Sequence, residues 1–297
     1  MKKYIFPVCI CFVISVLLIV LLDYNGQINN ITKEAGTSIS IPSDIVKSSV
    51  LDSSDTHALT QTTVTNTPYP KGLNAPNLTS KDALAKLASG TIIDVSKNKK
   101  DIVKAAFYYE KISKDIKLRM KDKSYKKDCT VPYEDLRYVR VLYYGFDKKT
   151  HVGELVVNKQ IAKDVTAIFK ELYLAKYPIE KMVLIDDYNA NDEASMADNN
   201  TTAFNFRTMT GSKNLSKHAL GLAIDINPLY NPYVKTSGTK TIVSPENGYK
   251  YKNRKLNNTY YIKKDDICYH AFIKRGFTWG GAWKSIKDYQ HFEKSIK

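Results

Sequence analysis

The sequence contains little cysteine, glycine and tryptophan, with 4, 13 and 2 of them among 297 residues. So few glycines exclude a collagen-like chain, and so few cysteines exclude a small domain built on a disulfide framework. No segment repeats along the chain, which argues against a solenoid. Hydrophobic residues make up 43% of the sequence, enough to bury a core. We therefore expect one domain of about 150–200 residues with additional segments.

Acidic residues are outnumbered by basic ones, 30 against 45, which gives a net charge of +15. The excess favours an anionic neighbour without identifying it. Much of it is local, because residues 97–127 hold 12 Lys and Arg against 4 acidic residues. Apolar residues recur there at steps of three and four, which predicts a basic amphipathic helix over 97–127. Its lysine-rich face is either a solvated surface or a patch that binds anionic wall polymers or lipid headgroups. The apolar positions are Ile102, Ala106, Tyr109, Ile112, Ile116 and Met120.

The N-terminal segment lacks the small residues of a signal-peptidase cleavage site. Two lysines precede an uncharged apolar run over residues 4–22, which is about the length of one bilayer crossing. We expect residues 1–22 to form a cytoplasmic start and an uncleaved transmembrane signal anchor, with all later residues on the extracellular side. This localisation in the cell membrane argues against nucleic acid as a partner.

The remaining chain divides by composition. Residues 23–96 are rich in Ser, Thr, Asn and Asp and have no sustained period, which predicts a flexible stalk. Residues 128–297 have the pattern of a compact domain with short strands and helices, which predicts an α+β fold. Strands are expected over 138–146, 152–157 and 182–185, and a helix over 161–172.

Two motifs in this domain carry groups that bind metals. Ser216-x-His218-x-x-Gly221-x-Ala223-x-Asp225 places an imidazole and a carboxylate seven residues apart, and Asp288-x-x-His291 adds a second imidazole. Two imidazoles and one carboxylate suit Zn²⁺ and leave a fourth position for water. The H-E-x-x-H helix is absent, so an ordinary zincin is excluded. We assign the other histidines to structural or surface positions: His57, His151 and His270.

These motifs resemble the zinc peptidases of bacterial peptidoglycan, which include VanX- and VanY-like D-Ala-D-Ala peptidases and L-alanyl-D-glutamate endopeptidases. The resemblance covers about residues 137–297 and rests on SKHALGLAID at 216–225, GFTWGGAW at 276–283 and DYQHFE at 288–293. It implies the fold of D-Ala-D-Ala carboxypeptidases and hedgehog-like domains. In that fold a small antiparallel sheet is flanked by helices and the zinc lies in an open cleft.

The resemblance also implies a role for each site residue. His218, Asp225 and His291 are the implied zinc ligands, Asp288 the catalytic acid or base, and Arg207 the group that stabilises the oxyanion. Zinc polarises a carbonyl and lowers the pKa of its bound water towards about 7. A carboxylate within reach can take the proton of that water and deliver it to the leaving amine. Two competing interpretations need no catalytic role: Asp288 is a surface residue in a turn, and Arg207 forms an exposed salt bridge.

Five further residues have two interpretations each. Ser216 either contacts the substrate or caps the turn before the first ligand. Trp279 and Trp283 either pack behind the metal site or form a wall of the substrate groove. Cys129 and Cys268 are the cysteines outside the apolar run, and in an extracellular domain they form either a disulfide or two reduced thiols.

Together these features predict a membrane-anchored zinc peptidase that cuts peptidoglycan stem peptides. An Asp rather than a Glu before the last ligand, with the Trp-Gly-Gly-x-Trp segment, looks more like the L-Ala-D-Glu endopeptidases. D-Ala-D-Ala carboxypeptidases share the same core, so this activity is a close alternative. An alternative of another class is a catalytically inactive, zinc-containing module for wall binding or signalling.

Overall fold

A computed structural model describes residues 78–209 and 212–296. The predicted anchor and most of the predicted stalk lie outside these ranges. Within the ranges, no helix combines the length and apolar character needed to cross a bilayer.

The described chain is a mixed arrangement of short helices and three small antiparallel sheets, in agreement with the predicted α+β class. The helices are α1 (Lys81–Ala85), α2 (Lys99–Ala106), α3 (Lys114–Met120), α4 (Ala162–Leu174), α5 (Asp192–Ala197) and α6 (Ile267–Ile273). The strands are β1 (Ile92–Ile93), β2 (Tyr108–Lys111), β3 (Leu136–Tyr144), β4 (Thr150–Asn158), β5 (Ala223–Asp225), β6 (Tyr233–Ser237), β7 (Lys240–Ser244), β8 (Thr278–Trp279), β9 (Ile286–Asp288) and β10 (His291–Glu293).

The largest sheet has the strand order β1-β4-β3-β2. Its centre is the hairpin of β3 and β4, paired from Leu136 opposite Asn158 to Tyr144 opposite Thr150, which confirms the strands predicted over 138–146 and 152–157. All nine residues of β4 are buried, so the sheet is covered on both faces. The predicted helix after the hairpin is also confirmed as α4, which buries Val165, Ile168 and Leu172.

Alternation along β3 separates two cores. Val139, Val141 and Tyr143 join the main core with α4 and α6, whereas Tyr138 and Leu142 face two other clusters, to which the N-terminal elements contribute. Successive side chains of a strand point to opposite faces, so the N-terminal elements and α4 lie on opposite sides of this sheet.

The prediction of one basic helix over 97–127 is wrong. The segment forms α2, β2 and α3 in succession, and β2 pairs with β3 from Tyr108 opposite Arg140 to Lys111 opposite Arg137. Aromatic residues at 107–109 favour an extended chain, and the Ser113 hydroxyl starts a new helix by accepting the Ile116 N–H. The predicted apolar positions are buried except Tyr109, so the segment is part of the domain.

The predicted stalk ends earlier than residue 96. From Leu78 onward the chain is packed, and Leu78, Leu84 and Ile93 are buried in one cluster with Leu142 and Val152. The composition of this segment is polar, but a few apolar side chains at the right spacing suffice to cover one face of the sheet. The strand predicted over 182–185 is also absent, since the chain there is extended and leads into a 3₁₀ helix at Ile185–Tyr188.

Two three-stranded sheets carry the predicted site. One has the order β5-β10-β8 and pairs Asp225 with His291; the other has the order β7-β6-β9 and pairs Tyr233 with Asp288. The β10 strand is anchored in the main core by Phe292, whose ring stacks on Phe272 at 4.1 Å between centroids.

Candidate metal centre and active site

His218 is held at the start of a 3₁₀ helix, His218–Leu220. The Ser216 hydroxyl accepts the His218 N–H at 3.0 Å, which fixes the turn before the helix. Gly221 ends the helix with φ of +66°, and a Cβ there would lie 2.7 Å from the backbone nitrogen of Asn158. Only glycine combines this left-handed conformation with so close a strand, so Gly221 sets the path from His218 into β5.

The other two predicted ligands meet through strand pairing. Asp225 ends β5 and His291 begins β10, and the two are direct antiparallel partners. Residues directly opposite in such a pair project to the same face. Asp225 is also bridged by its backbone to Thr202, so the segment after α5 runs along the other side of β5. All three side chains are buried.

The three side chains form a triangle of donor atoms. His218 Nε2 lies 3.2 Å from His291 Nδ1 and 3.2 Å from Asp225 Oδ2, and His291 Nδ1 lies 3.1 Å from Asp225 Oδ1. Zinc bonds of about 2.0–2.2 Å at tetrahedral angles place neighbouring ligand atoms about 3.3–3.5 Å apart. The triangle therefore fits a metal ion bound by two nitrogens and one carboxylate, as the sequence predicts.

Outer hydrogen bonds orient both imidazoles for this role. His218 Nδ1 lies 2.6 Å from the carbonyl oxygen of Ala203, which can only accept, so Nδ1 carries the proton and Nε2 is the free ligand atom. His291 Nε2 lies 3.1 Å from Glu293 Oε2, which leaves Nδ1 as its ligand atom. Such outer partners fix the tautomer and raise the basicity of a metal-binding histidine.

Glu293 was not assigned a role from the sequence, although a signal was present. If residues 291–293 form a strand, alternation places Glu293 on the same face as His291. We expect Glu293→Gln to lower the affinity for Zn²⁺ about 10–100-fold, because the amide cannot support the imidazole as a carboxylate does. Competition titration with a chromophoric chelator measures this. Glu134→Gln, at an exposed position, is the matched control, and equal affinities of the two variants would contradict the role of Glu293.

The cluster favours a buried positive charge. Burial raises the pKa of Asp225, but His218 and His291 outweigh it and hold that pKa well below its usual range. Burial lowers the pKa of His291, but hydrogen bonds with Asp225 and Glu293 outweigh it and raise the pKa to about 10. A proton or a metal ion between these groups is thus stabilised by the same two carboxylates.

Asp288 lies at the end of β9, beside the triangle. The pKa of Asp288 is raised to about 6, chiefly by burial and also by the Asp225 carboxylate, which together outweigh the lowering effect of His291 and His218. Its Oδ1 is shielded from solvent and has no hydrogen-bond partner. Gly280 allows this packing, because a Cβ there would lie 2.8 Å from Asp288 Cβ and 3.3 Å from His291 Cβ. A carboxyl group with a pKa raised in this way can exchange a proton near neutral pH.

Arg207 is adjacent to the site through its main chain. Its carbonyl oxygen accepts the Ser216 N–H at 3.1 Å, two residues before the first ligand. Its guanidinium is paired with Asp192 in the first turn of α5 and also contacts the Thr208 carbonyl oxygen at 3.4 Å. No contact between this guanidinium and the three ligands is present among the described residues.

Ser216 and the two tryptophans separate into different roles. Ser216 is buried and caps the turn before His218, so the capping interpretation applies. Trp279 belongs to the main core, and its Nε1–H donates to the Tyr289 carbonyl oxygen at 2.9 Å, so it supports the site by packing. Trp283 is half-buried with its ring centroid 5.4 Å from that of His291, which puts it at the edge of the metal centre.

Of the two interpretations of Cys129 and Cys268, the structure has the reduced form, because both are free thiols. Cys268 is buried in the main core, whereas Cys129 packs against a different cluster and its Sγ lies 3.7 Å from the Val131 carbonyl oxygen. Burial raises the pKa of both thiols, which keeps them protonated and unreactive. Of the histidines outside the site, His151 is buried beside Asp147 and His270 is exposed.

Residues 210–294 match the sequence model of a family described as D-alanyl-D-alanine carboxypeptidase. The chain is similar to this family. The match covers 85 of the 297 residues and is narrower than the resemblance predicted over 137–297. No curated protein and no solved structure matches the chain.

The carboxypeptidase-like segment, residues 210–294, contains all three donors of the triangle together with Asp288. Arg207 lies just before it. The similarity supports a peptidase that acts on peptidoglycan, and it confirms the family resemblance predicted from the motifs.

Proposed function

We propose that this protein is a zinc-dependent peptidase that hydrolyses a peptide bond in peptidoglycan stem peptides. The observation that carries the proposal is the triangle of His218, Asp225 and His291, with donor distances of 3.1–3.2 Å, next to the Asp288 carboxyl group, whose buried Oδ1 has no hydrogen-bond partner. This combination lies inside the carboxypeptidase-like segment.

The chemistry divides between the ion and the protein. When bound, zinc supplies a Lewis acid that polarises the scissile carbonyl and makes a water molecule nucleophilic at neutral pH. Asp288 takes the proton from this water and passes it to the leaving amine, for which a pKa of about 6 is well matched. Trp283 borders the position where the peptide approaches.

Arg207 is the proposed donor to the developing oxyanion. Its carbonyl oxygen accepts a hydrogen bond from the Ser216 N–H, and its guanidinium forms an ion pair with Asp192 at the N-terminus of α5. An oxyanion donor typically lowers the activation barrier by about 2.7–4 kcal/mol. To act in this role the guanidinium exchanges Asp192 for the substrate, so this step accompanies substrate binding.

The bond that we propose is either L-Ala-D-Glu or the terminal D-Ala-D-Ala. Asp288 and the Trp279–Trp283 segment support the first; the description of the matching family supports the second. In either case the substrate is extracellular, so we propose that residues 1–22 anchor the chain in the cell membrane with its domain outside. Anionic wall polymers remain proposed partners of the lysines in residues 97–127.

The test is digestion of purified muropeptides by the full-length protein, read by mass spectrometry. We expect cleavage that a chelator abolishes and that added Zn²⁺ restores. Loss of one terminal alanine identifies a carboxypeptidase, and separation of L-Ala from D-Glu identifies an endopeptidase. A folded, zinc-loaded protein that cleaves neither bond contradicts the proposal and favours the inactive wall-binding or signalling module.

A further inference from the structure

Tyr233 stands directly opposite Asp288 in the pairing of β6 with β9. Side chains directly opposite each other in an antiparallel pair project to the same face, with Cβ atoms about 4.5–5.5 Å apart. The Tyr289 N–H donates to the Pro232 carbonyl oxygen at 3.4 Å, which extends the contact by one residue. The phenol ring of Tyr233 therefore shares the face on which Asp288 meets the metal ligands.

The hydroxyl of Tyr233 is a hydrogen-bond donor at this position. Burial raises the pKa of Tyr233, and the neighbouring Asp288 carboxylate raises it further, so the phenol stays protonated at neutral pH. Tyr233 is partly buried, so its ring packs against the domain while part of the side chain remains accessible to a substrate.

The Tyr233 hydroxyl differs from Arg207 as a hydrogen-bond donor to the substrate. The Arg207 guanidinium is already paired with Asp192, whereas Tyr233 is built into the strand next to the proton-transferring group. A peptide presents carbonyl and carboxylate oxygens on both sides of the bond that is cleaved. A neutral O–H donor binds such an oxygen without adding a charge beside Asp288.

We propose that Tyr233 is a substrate-binding residue, whose hydroxyl donates a hydrogen bond to a peptide oxygen beside the bond that Asp288 helps to cleave. The proposal rests on the proposed peptidase function. It adds a residue from the β6–β7 hairpin to the site, on the side formed by β9.

Tyr233→Phe tests the hydroxyl while keeping the ring. We expect kcat/KM on muropeptides to fall about 10–100-fold, the cost of losing a hydrogen bond to a charged or strongly polarised oxygen. Bound zinc and melting temperature are expected to equal those of the wild type. Tyr249→Phe is the matched control, because Tyr249 is 52% exposed and is not paired with Asp288.

Three results would overturn the proposal. Wild-type kcat/KM in the Tyr233→Phe protein would show that the hydroxyl does not contact the substrate. Loss of zinc or a lowered melting temperature would make Tyr233 a structural residue. A wild-type protein that cleaves no muropeptide would overturn the proposed function and this inference together, whereas the first two results leave the peptidase function intact.

Discussion

His218→Ala is expected to abolish stoichiometric zinc binding and to lower muropeptide hydrolysis more than about 100-fold. This loss is larger than the decrease of about 10–100-fold that is typical for removing a residue that only hydrogen-bonds to a metal ligand. The variant removes one corner of a triangle whose sides measure 3.1–3.2 Å. Asp225 and His291 remain, but two donors hold zinc far less tightly than three. Metal analysis of the purified protein and the muropeptide assay give the two readings.

His270→Ala is the control for this variant. His270 lies exposed on α6, outside the triangle, so its loss is expected to change neither zinc content nor activity. A His218→Ala protein that kept one zinc per chain and wild-type turnover would contradict the assigned metal centre.

Asp288→Asn is expected to lower hydrolysis at least about 100-fold and to leave zinc content unchanged. Asparagine has nearly the same shape but cannot take up the proton of the attacking water. Asp288 is not one of the three donors, so the metal remains bound. Asp265→Asn, at an exposed position, is the matched control.

The pH profile provides a second reading of Asp288. As a base this group must be ionised, so kcat/KM is expected to fall as the pH drops through its pKa of about 6. A bound dication lowers that pKa, so the midpoint is expected at or below about pH 6. In Asp288→Asn the remaining activity is expected to lack this acidic limb. An unchanged limb, or full activity of the variant, would remove Asp288 from the mechanism.

The two variants separate binding from chemistry. His218→Ala is expected to lose the metal and the activity, whereas Asp288→Asn is expected to lose the activity alone. An inactive wall-binding module would also lose its zinc in His218→Ala. Its wild-type form would hydrolyse no muropeptide, so Asp288→Asn would cause no further loss.

The central part of the fold was predictable because its signals are local. Alternation over 138–146 and 152–157 predicted the strands observed as β3 and β4, and the spacing of Val165, Ile168 and Leu172 predicted α4. The structure of residues 97–127 was not predictable in this way, because their apolar spacing fits a helix whereas β2 forms through its pairing with β3. The hydrogen bonds between β2 and β3 join residues far apart in the sequence, so the spacing of apolar residues within 97–127 does not reveal them.

For the site, the sequence by itself determined which residues are candidate metal donors, because His218, Asp225 and His291 lie in motifs whose residue types suit a metal ion. Only the tertiary structure decided which atoms meet. Pairing of β5 with β10 brings Asp225 to His291, and pairing of β6 with β9 brings Tyr233 to Asp288. The structure also places Glu293 behind His291, leaves Cys129 and Cys268 unpaired, and turns the Arg207 guanidinium towards Asp192. The two strand pairings join residues distant in sequence, and their geometry depends on strand register and on the packing of the core.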